Sequence, residues 1–334
     1  MKKPSLHVVG MFGIGDNLHQ RAVIIELLKF YEVWLETCHV WIYRDLLDRG
    51  DLHLMLRPTS LWMHVQNVQH ECALHPGVYN HRPPPRARQV RIWYLKREID
   101  QTGSMLGAMF LAAGLPVPSE PDFRIRIRPE WHTPRVAGII EQARAFNKPV
   151  MVYRPLVLRH EWDSHLRNAD PQHYADLYQS VRDEFFTISI ASLKPEVEWV
   201  VGNPQAADMK IHDGSLEMWE MAALFAAADV AFVNAGMGPV LAQAVGTPSV
   251  VVYGGRESFR TSQRAGAHLA PTLGIDPINP CDCHSHSHQC DKRIDVPPAI
   301  AKIREFLHES VAVRHNLRRY AGEARDAESV VQDG

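Results

Sequence analysis

The chain has 334 residues, a formal net charge of −2, and a composition that is 46% hydrophobic and 22% charged. Such a chain is globular and long enough for two domains of ordinary size, which excludes a disordered or collagen-like protein. The near-neutral balance gives no global reason to expect nucleic acid or an anionic membrane as partner. No stretch reaches the roughly 18 to 20 apolar residues that span a bilayer.

The start, "MKKPSLHVVGMFGIGD", places lysines before an apolar run, as a signal peptide does. Gly10, Gly13 and Gly15 break that run and no small-residue cleavage site follows, so a cytoplasmic protein is expected. "SLHVVG" reads as a buried strand, and Asn17 to Phe30 as a helix. "YEVWLET" is a second strand, "VWIYRDLLDRG" a helix closed by Gly50, and "LHLMLR" a third strand. The pattern blurs from Val65 to Arg97, where "HRPPPRARQ" reads as a loop or extended segment because consecutive prolines exclude helix and central strand. "GSMLGAMFLAAGL" is a small-residue helix, and "DFRIRIR" alternates like a half-exposed strand.

A second alternating series follows. "TPRVAGIIEQARAFN" is a helix leading into the strand "KPVMVYRP", and "EFFTISIAS", "VEWVVG" and "ADMKIHD" are further strands. "SLEMWEMAALFAAA" is a helix with a serine cap and Glu217 in its first turn. "DVAFVNAG" is a strand ending in a turn, "PVLAQAVG" a helix, "TPSVVVYGG" a strand, and the segment from "PPAIAKIREF" onward a long helix. Alternation at this spacing predicts an α/β protein with two doubly wound parallel sheets facing a cleft. The boundary falls between Ala145 and Pro149: residues 1–147 form an N-terminal Rossmann-like domain and 148–300 a C-terminal one. Residues 301–334 form a C-terminal helix and tail that can pack back on the N-terminal domain. Ligands of such pairs bind between the halves, at the carboxyl ends of the strands.

Gly10, Gly13 and Gly15 do not make the G-x-G-x-x-G spacing of a dinucleotide loop, and Asp16 follows where a pyrophosphate would be repelled. Asp16 can serve simply as a helix cap. The glycines also allow the backbone to pass close to a ligand and aim Asp16 into the cleft, where a carboxylate can act as general base on a hydroxyl. Gly13, Gly15 and Asn17 then belong to the acceptor side. In the second half, "VYRPLVLRHEW" ends a strand with Arg154 and Arg159, "VNAGMGPVLAQAVGTP" puts Asn234, Gly236 and Gly238 at a helix start, and "YGGRESFR" adds Arg256 and Arg260. Turn N–H groups, a helix dipole and arginine forks together suit a diphosphate, although each loop alone is also an ordinary strand–turn–helix.

"NPCDCHSHSHQCDKR" gathers Cys281, Cys283, Cys290, His284, His286 and His288. The three thiols and His284 could bind a structural zinc ion; a disulfide or free thiols are the alternatives. Cys38 and Cys72 lie apart from them. The stretch from Arg82 to Arg135 is locally positive and contains Trp93 and Tyr94, which fits either a solvated charged face or a surface that tracks a nucleic-acid backbone.

The pairing of "GIGDNLHQRAVIIELL" with "ADVAFVNAGMGPVLAQAVGTPSVVVYGG" resembles glycosyltransferase family 9, the heptosyltransferase-like enzymes. The resemblance implies the GT-B architecture and an inverting, metal-independent transfer that requires no cofactor. It implies Asp16 as base, matching the family's "GD". It also implies that Arg159 in "RHEW" stands for the lysine of a "K-x-W" segment contacting the donor phosphates. Asn234 is the nearest counterpart of the acid in the family's "D-T-G-x-x-H-x-A-x-A-x-G-T-P" segment, one residue out of register, and Val240 lies where the family has histidine. The expected function is a hexosyl- or heptosyltransferase moving a sugar from a nucleotide-sugar to an anionic or lipid-linked acceptor of a bacterial surface glycan, lipopolysaccharide-like. The alternatives are a phage-type enzyme that glycosylates hydroxylated bases in DNA, and a non-catalytic nucleotide-sugar-binding or zinc-clipped protein.

Overall fold

The computed structural model describes residues 3–60, 62–159, 164–193, 198–203, 205–263, 269–285, 289 and 291–332; side chains are described through Arg314, except those of residues 62–64 and 67. An apolar strand, a glycine turn and a helix begin the chain as β1 (Ser5–Val9) and α1 (Ile14–Phe30). Then come β2 (Glu32–Thr37), α2 (Val40–Leu47), β3 (Leu52–Leu56), α3 (Trp62–Leu74), β4 (Arg88–Arg91), α4 (Lys96–Thr102) and α5 (Met105–Ala112). The strands form a parallel sheet in the order β3-β2-β1-β4, with Leu6 level with Val33 on one side and Arg88 on the other. Helix α1 starts three residues before the expected Asn17. It is buried on nearly every side, polar Asn17, Gln20 and Arg21 included, because it lies between this sheet and the second half of the chain.

The blurred stretch of sequence holds α3, β4 and the start of α4. β4 is a short edge strand of exposed or half-buried residues, so it shows no hydrophobic alternation. The segment "DFRIRIR" alternates in burial, with Phe123 and Ile125 inside and Arg124 and Arg126 outside, yet it pairs with no strand. It is an extended strap: Arg21 Nε donates to the Arg124 carbonyl at 2.9 Å, and Ile125 N donates to the Ala244 carbonyl at 2.7 Å. Alternation reports a two-sided environment, and here the two sides are core and solvent without a ladder.

The second half comprises α6 (Pro134–Arg144), β5 (Val150–Tyr153), β6 (Val157–Arg159), α7 (Pro171–Gln179), β7 (Phe186–Ile190), β8 (Glu198–Val200) and β9 (Met209–Ile211). It continues through α8 (Met218–Ala227), β10 (Val230–Asn234), α9 (Met237–Ala244), β11 (Ser249–Val252), α10 (Phe259–Ser262), β12 (Thr272–Ile275) and α11 (Val296–Gln332). Six parallel strands run in the order β12-β11-β10-β5-β7-β9. "VEWVVG" contributes β8, which leaves that sheet and pairs antiparallel with β6. At α8 the expected serine cap is replaced: Glu217 is the cap residue, its N–H donating to Glu220 Oε2 at 3.0 Å, while Ser215 N donates to Asp213 Oδ1 at 3.1 Å.

One cluster of buried side chains runs from Val8 and Ile24 to Ile188 and Val233, so both sheets share a core. The other face of the larger sheet carries Tyr153 and Phe232, which pack against Tyr174 and Tyr178 of α7 in a second cluster that α11 completes. Helix α11 seats Ala299, Ile303 and Leu307 in this second cluster. Its Arg314 donates to the carbonyls of Ala226 and Gly246 at the end of α8 and after α9.

Helix α3 leans on the second half. His70 Nε2 lies 2.9 Å and 3.0 Å from the two carboxylate oxygens of Glu217. The neighbouring Glu71 is buried, which pushes its carboxyl up to about 7; His70 opposes the rise and Glu217 adds to it. Between the ordinary value of 4.5 and about 7 the folded chain therefore holds a proton that the unfolded chain releases, and stability falls as pH rises through that window. Glu71→Gln is expected to match the parent near pH 4 and to exceed it at pH 8 by about 1–3 kcal/mol, read from urea unfolding at both pH values.

Candidate functional site

The opening glycine turn is pinned from beneath by Asn17. Its Nδ2 donates to the carbonyls of Met11 and Gly13 at 2.9 Å each, and its Oδ1 accepts from Thr37 Oγ1 at 2.9 Å. Gln20 Oε1 accepts from Met11 N at 2.7 Å. Asn17, expected on the acceptor side, is therefore fully buried and spent on shaping the loop. Gly15 faces the second half of the chain. A Cβ there would stand 3.3 Å from Met237 Cα and 3.4 Å from the Gly236 carbonyl, so the backbones of the two halves meet at this point.

Across from it, Gly236 opens α9 with φ 134° and ψ −142°, a conformation that side-chain-bearing residues rarely adopt. A Cβ on Gly238 would lie 3.1 Å from Val233 Cγ1, so that glycine serves close packing of helix on strand. Asn234 Nδ2 donates to Asn168 Oδ1 at 3.0 Å, and Asn168 Nδ2 donates in turn to the Val157 carbonyl at 3.0 Å. Asn234 thus ties two loops together below the turn. Val240 is buried in the shared core.

Asp16 sits in the first turn of α1, half-buried, beside this meeting point. Tyr94 Oη donates to Asp16 Oδ1 at 2.9 Å. Burial pushes the Asp16 carboxyl above its ordinary value, and the tyrosine hydrogen bond and the nearby Arg167 pull against that rise. Burial, with Asp16 as neighbour, pushes Tyr94 well above its own ordinary value, so its hydroxyl keeps its proton. Arg167 Nε donates to Glu257 Oε1 at 2.8 Å. Burial raises Glu257, but the Arg167 guanidinium outweighs burial and holds the carboxylate ionised. Base candidate, tyrosine, arginine and glutamate form one electrostatic group contributed by both halves.

Sequence reasoning placed Tyr94 only in the nucleic-acid reading and missed Arg167 and Glu257. Tyr94 follows β4 at the carboxyl end of a strand neighbouring β1, and Glu257 follows β11 in the same way, so the rule that sites gather at those ends pointed to both. Arg167 lies beyond a short 3-10 turn (Ser164–Leu166) and carries no such signal.

The arginines chosen from sequence are each engaged by partners within the chain. Arg154 Nη2 donates to Glu198 Oε1 at 3.0 Å and Oε2 at 2.9 Å, and Arg159 Nε donates to Glu198 Oε2 at 2.5 Å. Glu198 is sealed from solvent, with 0% of its side chain exposed, whereas Arg159 retains 35% and is the more accessible of the two arginines. His160 to Asp163, including the rest of "RHEW", lie outside the described residues. Arg256 donates to the carbonyls of Ser285 at 2.7 Å and His284 at 3.0 Å, and Arg260 pairs with Asp282 at 2.8 Å. Both hold the cysteine–histidine segment in place.

In that segment Cys281 N and Asp282 N donate to the Gly255 carbonyl at 3.1 Å and 3.0 Å, and His284 N donates to the Arg256 carbonyl at 3.0 Å. Cys290, His286 and His288 lie outside the described residues. Among the described residues no three histidine, cysteine or acidic side chains are grouped to hold a metal ion. Much of the positive stretch is locally neutralised: Lys96 pairs with Asp100, Arg97 with Glu98, Arg124 with Asp122 and Arg128 with Glu130. Among the described residues no helix is long and apolar enough to cross a membrane.

No protein-family model matches the sequence, and no curated protein matches it. Solved structures do match. The chain superposes on a glycosyl transferase family 9 protein from Veillonella parvula with TM-score 0.58 and 11% identity, covering 92% of this chain and 98% of that one. The E. coli ADP-heptose lipopolysaccharide heptosyltransferase II matches with TM-score 0.51 and 12% identity, over 93% and 99%. The iron-containing dodecameric glycosyltransferase TibC of enterotoxigenic E. coli matches with TM-score 0.51 and 12% identity, over 93% and 77%. The two facing parallel sheets thus have the fold of the GT-B glycosyltransferases, and within it that of family 9 and heptosyltransferase structures.

Proposed function

We propose that the chain is a glycosyltransferase of the family 9 type that moves a sugar from a nucleotide-sugar to an acceptor hydroxyl with inversion. One observation carries the reading: a half-buried carboxylate, Asp16, sits where the starts of α1 and α9 converge, with Arg167 beside it. The α9 start offers backbone N–H groups and the positive end of a helix dipole, which suit the donor's diphosphate. Arg167 is the cation best placed to share that charge, and Arg159 is a second. Asp16 takes the proton of the acceptor hydroxyl as its oxygen bonds to the anomeric carbon. The bond from that carbon to the phosphate oxygen breaks, and its electron pair leaves with the nucleoside diphosphate, whose charge the arginine and the turn stabilise.

The fold shared with an ADP-heptose lipopolysaccharide heptosyltransferase supports a surface-glycan acceptor of lipopolysaccharide type and a heptose or hexose as the transferred sugar. The local pairing of cations between Lys96 and Arg128 favours this acceptor over a DNA base. A structural zinc at Cys281, Cys283, His284 and Cys290 stays a proposal tested by metal analysis with and without chelator.

Two measurements test the reading. Asp16→Asn is expected to lower kcat by about 10²–10⁴ while leaving donor KM little changed, measured as nucleoside diphosphate release from a panel of ADP-, UDP- and GDP-sugars. A base must be ionised, so activity falls as pH drops through the raised Asp16 value, and the acid limb lies above the ordinary aspartate range. The second test removes the donor-side cation together with its partner, so that no buried carboxylate is left unpaired. The double variant Arg167→Gln, Glu257→Gln is expected to stay folded and to bind nucleoside diphosphates about tenfold or more weakly by calorimetry, a loss of roughly 1.4 kcal/mol or more.

A further inference from the structure

The two carboxylate oxygens of Asp16 are held differently. Oδ1 accepts the Tyr94 hydroxyl at 2.9 Å. Oδ2 lies over Gly13, where a Cβ would stand 2.8 Å from it. Gly13 has φ −66° and ψ 146°, a backbone conformation open to any residue. The missing side chain is therefore not needed by the backbone; what it supplies is room for Oδ2.

Tyr94 is itself firmly placed. Ile92 N donates to the Val9 carbonyl at 3.0 Å, carrying the chain past the end of β4 alongside β1. The ring packs against the cluster of Ile99, Met105 and Ala108 from α4 and α5. The helix read from sequence as rich in small residues thus supports this tyrosine. The charged groups facing the pair are Arg167 and Glu257, which are bonded to each other.

We propose that Tyr94 is a positioning residue: with the bare Cα of Gly13 it holds the Asp16 carboxylate in one rotamer, Oδ1 occupied and Oδ2 free to take the proton. The assignment of Oδ2 as the reacting atom rests on the transferase reading above; the holding of the carboxylate does not. A neutral donor is well chosen for this task. A lysine or arginine at the same place would fix the carboxylate equally but would lower its basicity through a full charge. The tyrosine hydroxyl orients it through one hydrogen bond and leaves it basic enough to accept a proton.

The test compares the parent with Tyr94→Phe and Gly13→Ala, using protein labelled with ¹³C at its aspartate carboxyls. The Asp16 signal is identified by its loss in Asp16→Asn. In Tyr94→Phe the Asp16 titration is expected to move up by about one pH unit, because the ionised form loses a hydrogen bond. The acid limb of nucleoside diphosphate release from ADP-, UDP- or GDP-sugars should move with it, and kcat should fall about tenfold or more at unchanged KM. Gly13→Ala should displace Oδ2, with a similar loss of kcat and a melting temperature within about 2 °C of the parent, since only the tip of a flexible side chain has to yield. An Asp16 titration that is unchanged in Tyr94→Phe overturns the proposal, whatever the activity. A parent protein that turns over none of the sugars, but whose Asp16 titration does shift in Tyr94→Phe, counts against the transferase reading and for the tyrosine's hold.

Discussion

The chain brings two helix starts to one point, and the cleft is organised around that meeting. Gly15 of the first half lies against Gly236 and Met237 of the second, closer than most side chains would permit. Each helix presents unsatisfied N–H groups and about half a positive charge at its start. Two such ends facing one another repel unless something negative lies between them. Asp16 answers part of this requirement from within the chain, and the diphosphate of a nucleotide-sugar would answer the rest. The glycines are thus tied to electrostatics: they permit a backbone approach that is favourable only with an anion present.

The cations near the cleft follow a related economy. Arg167 is paired with Glu257, and Arg154 and Arg159 share Glu198, each glutamate being buried. A buried carboxylate without its arginine would be costly, so each pair is fixed as a unit. On the proposed reading, a donor phosphate would meet preoriented guanidinium groups and would compete with a carboxylate for their N–H donors. Such preorganisation would exchange some affinity for order.

Much of this architecture was legible in the sequence because buried strands alternate with helices at short spacing. The parallel strands at Ser5, Glu32, Leu52, Val150, Phe186, Val230 and Ser249 are apolar runs bounded by turns, and such runs report burial directly. β4 and the helices around it were not legible, since an edge strand following consecutive prolines has neither periodicity nor a buried face. At the candidate site, Asp16 and the Gly236 turn stood out in the sequence by their place after a strand, although an acid there can equally cap the helix. Asn17 looked identical to a cleft residue, and only the carbonyls of Met11 and Gly13 show that its amide is consumed. Arg154 and Arg159 were equally convincing as anion binders, because the buried partner, Glu198, lies on a different strand far along the chain. Sequence shows which residues can carry charge; the neutralising partner depends on topology.

The strap of residues 121 to 128 bears on motion. It belongs to no sheet, yet Arg124 is fastened to Arg21 in α1 and Ile125 to Ala244 at the end of α9. These are the two helices whose starts form the cleft. Drawing the sheets apart would have to break the Ile125 hydrogen bond and expose the buried Phe123 and Ile125. The strap is thereby a tether between the two halves. Parting the two helix starts therefore carries the cost of unfastening a segment that lies outside both sheets.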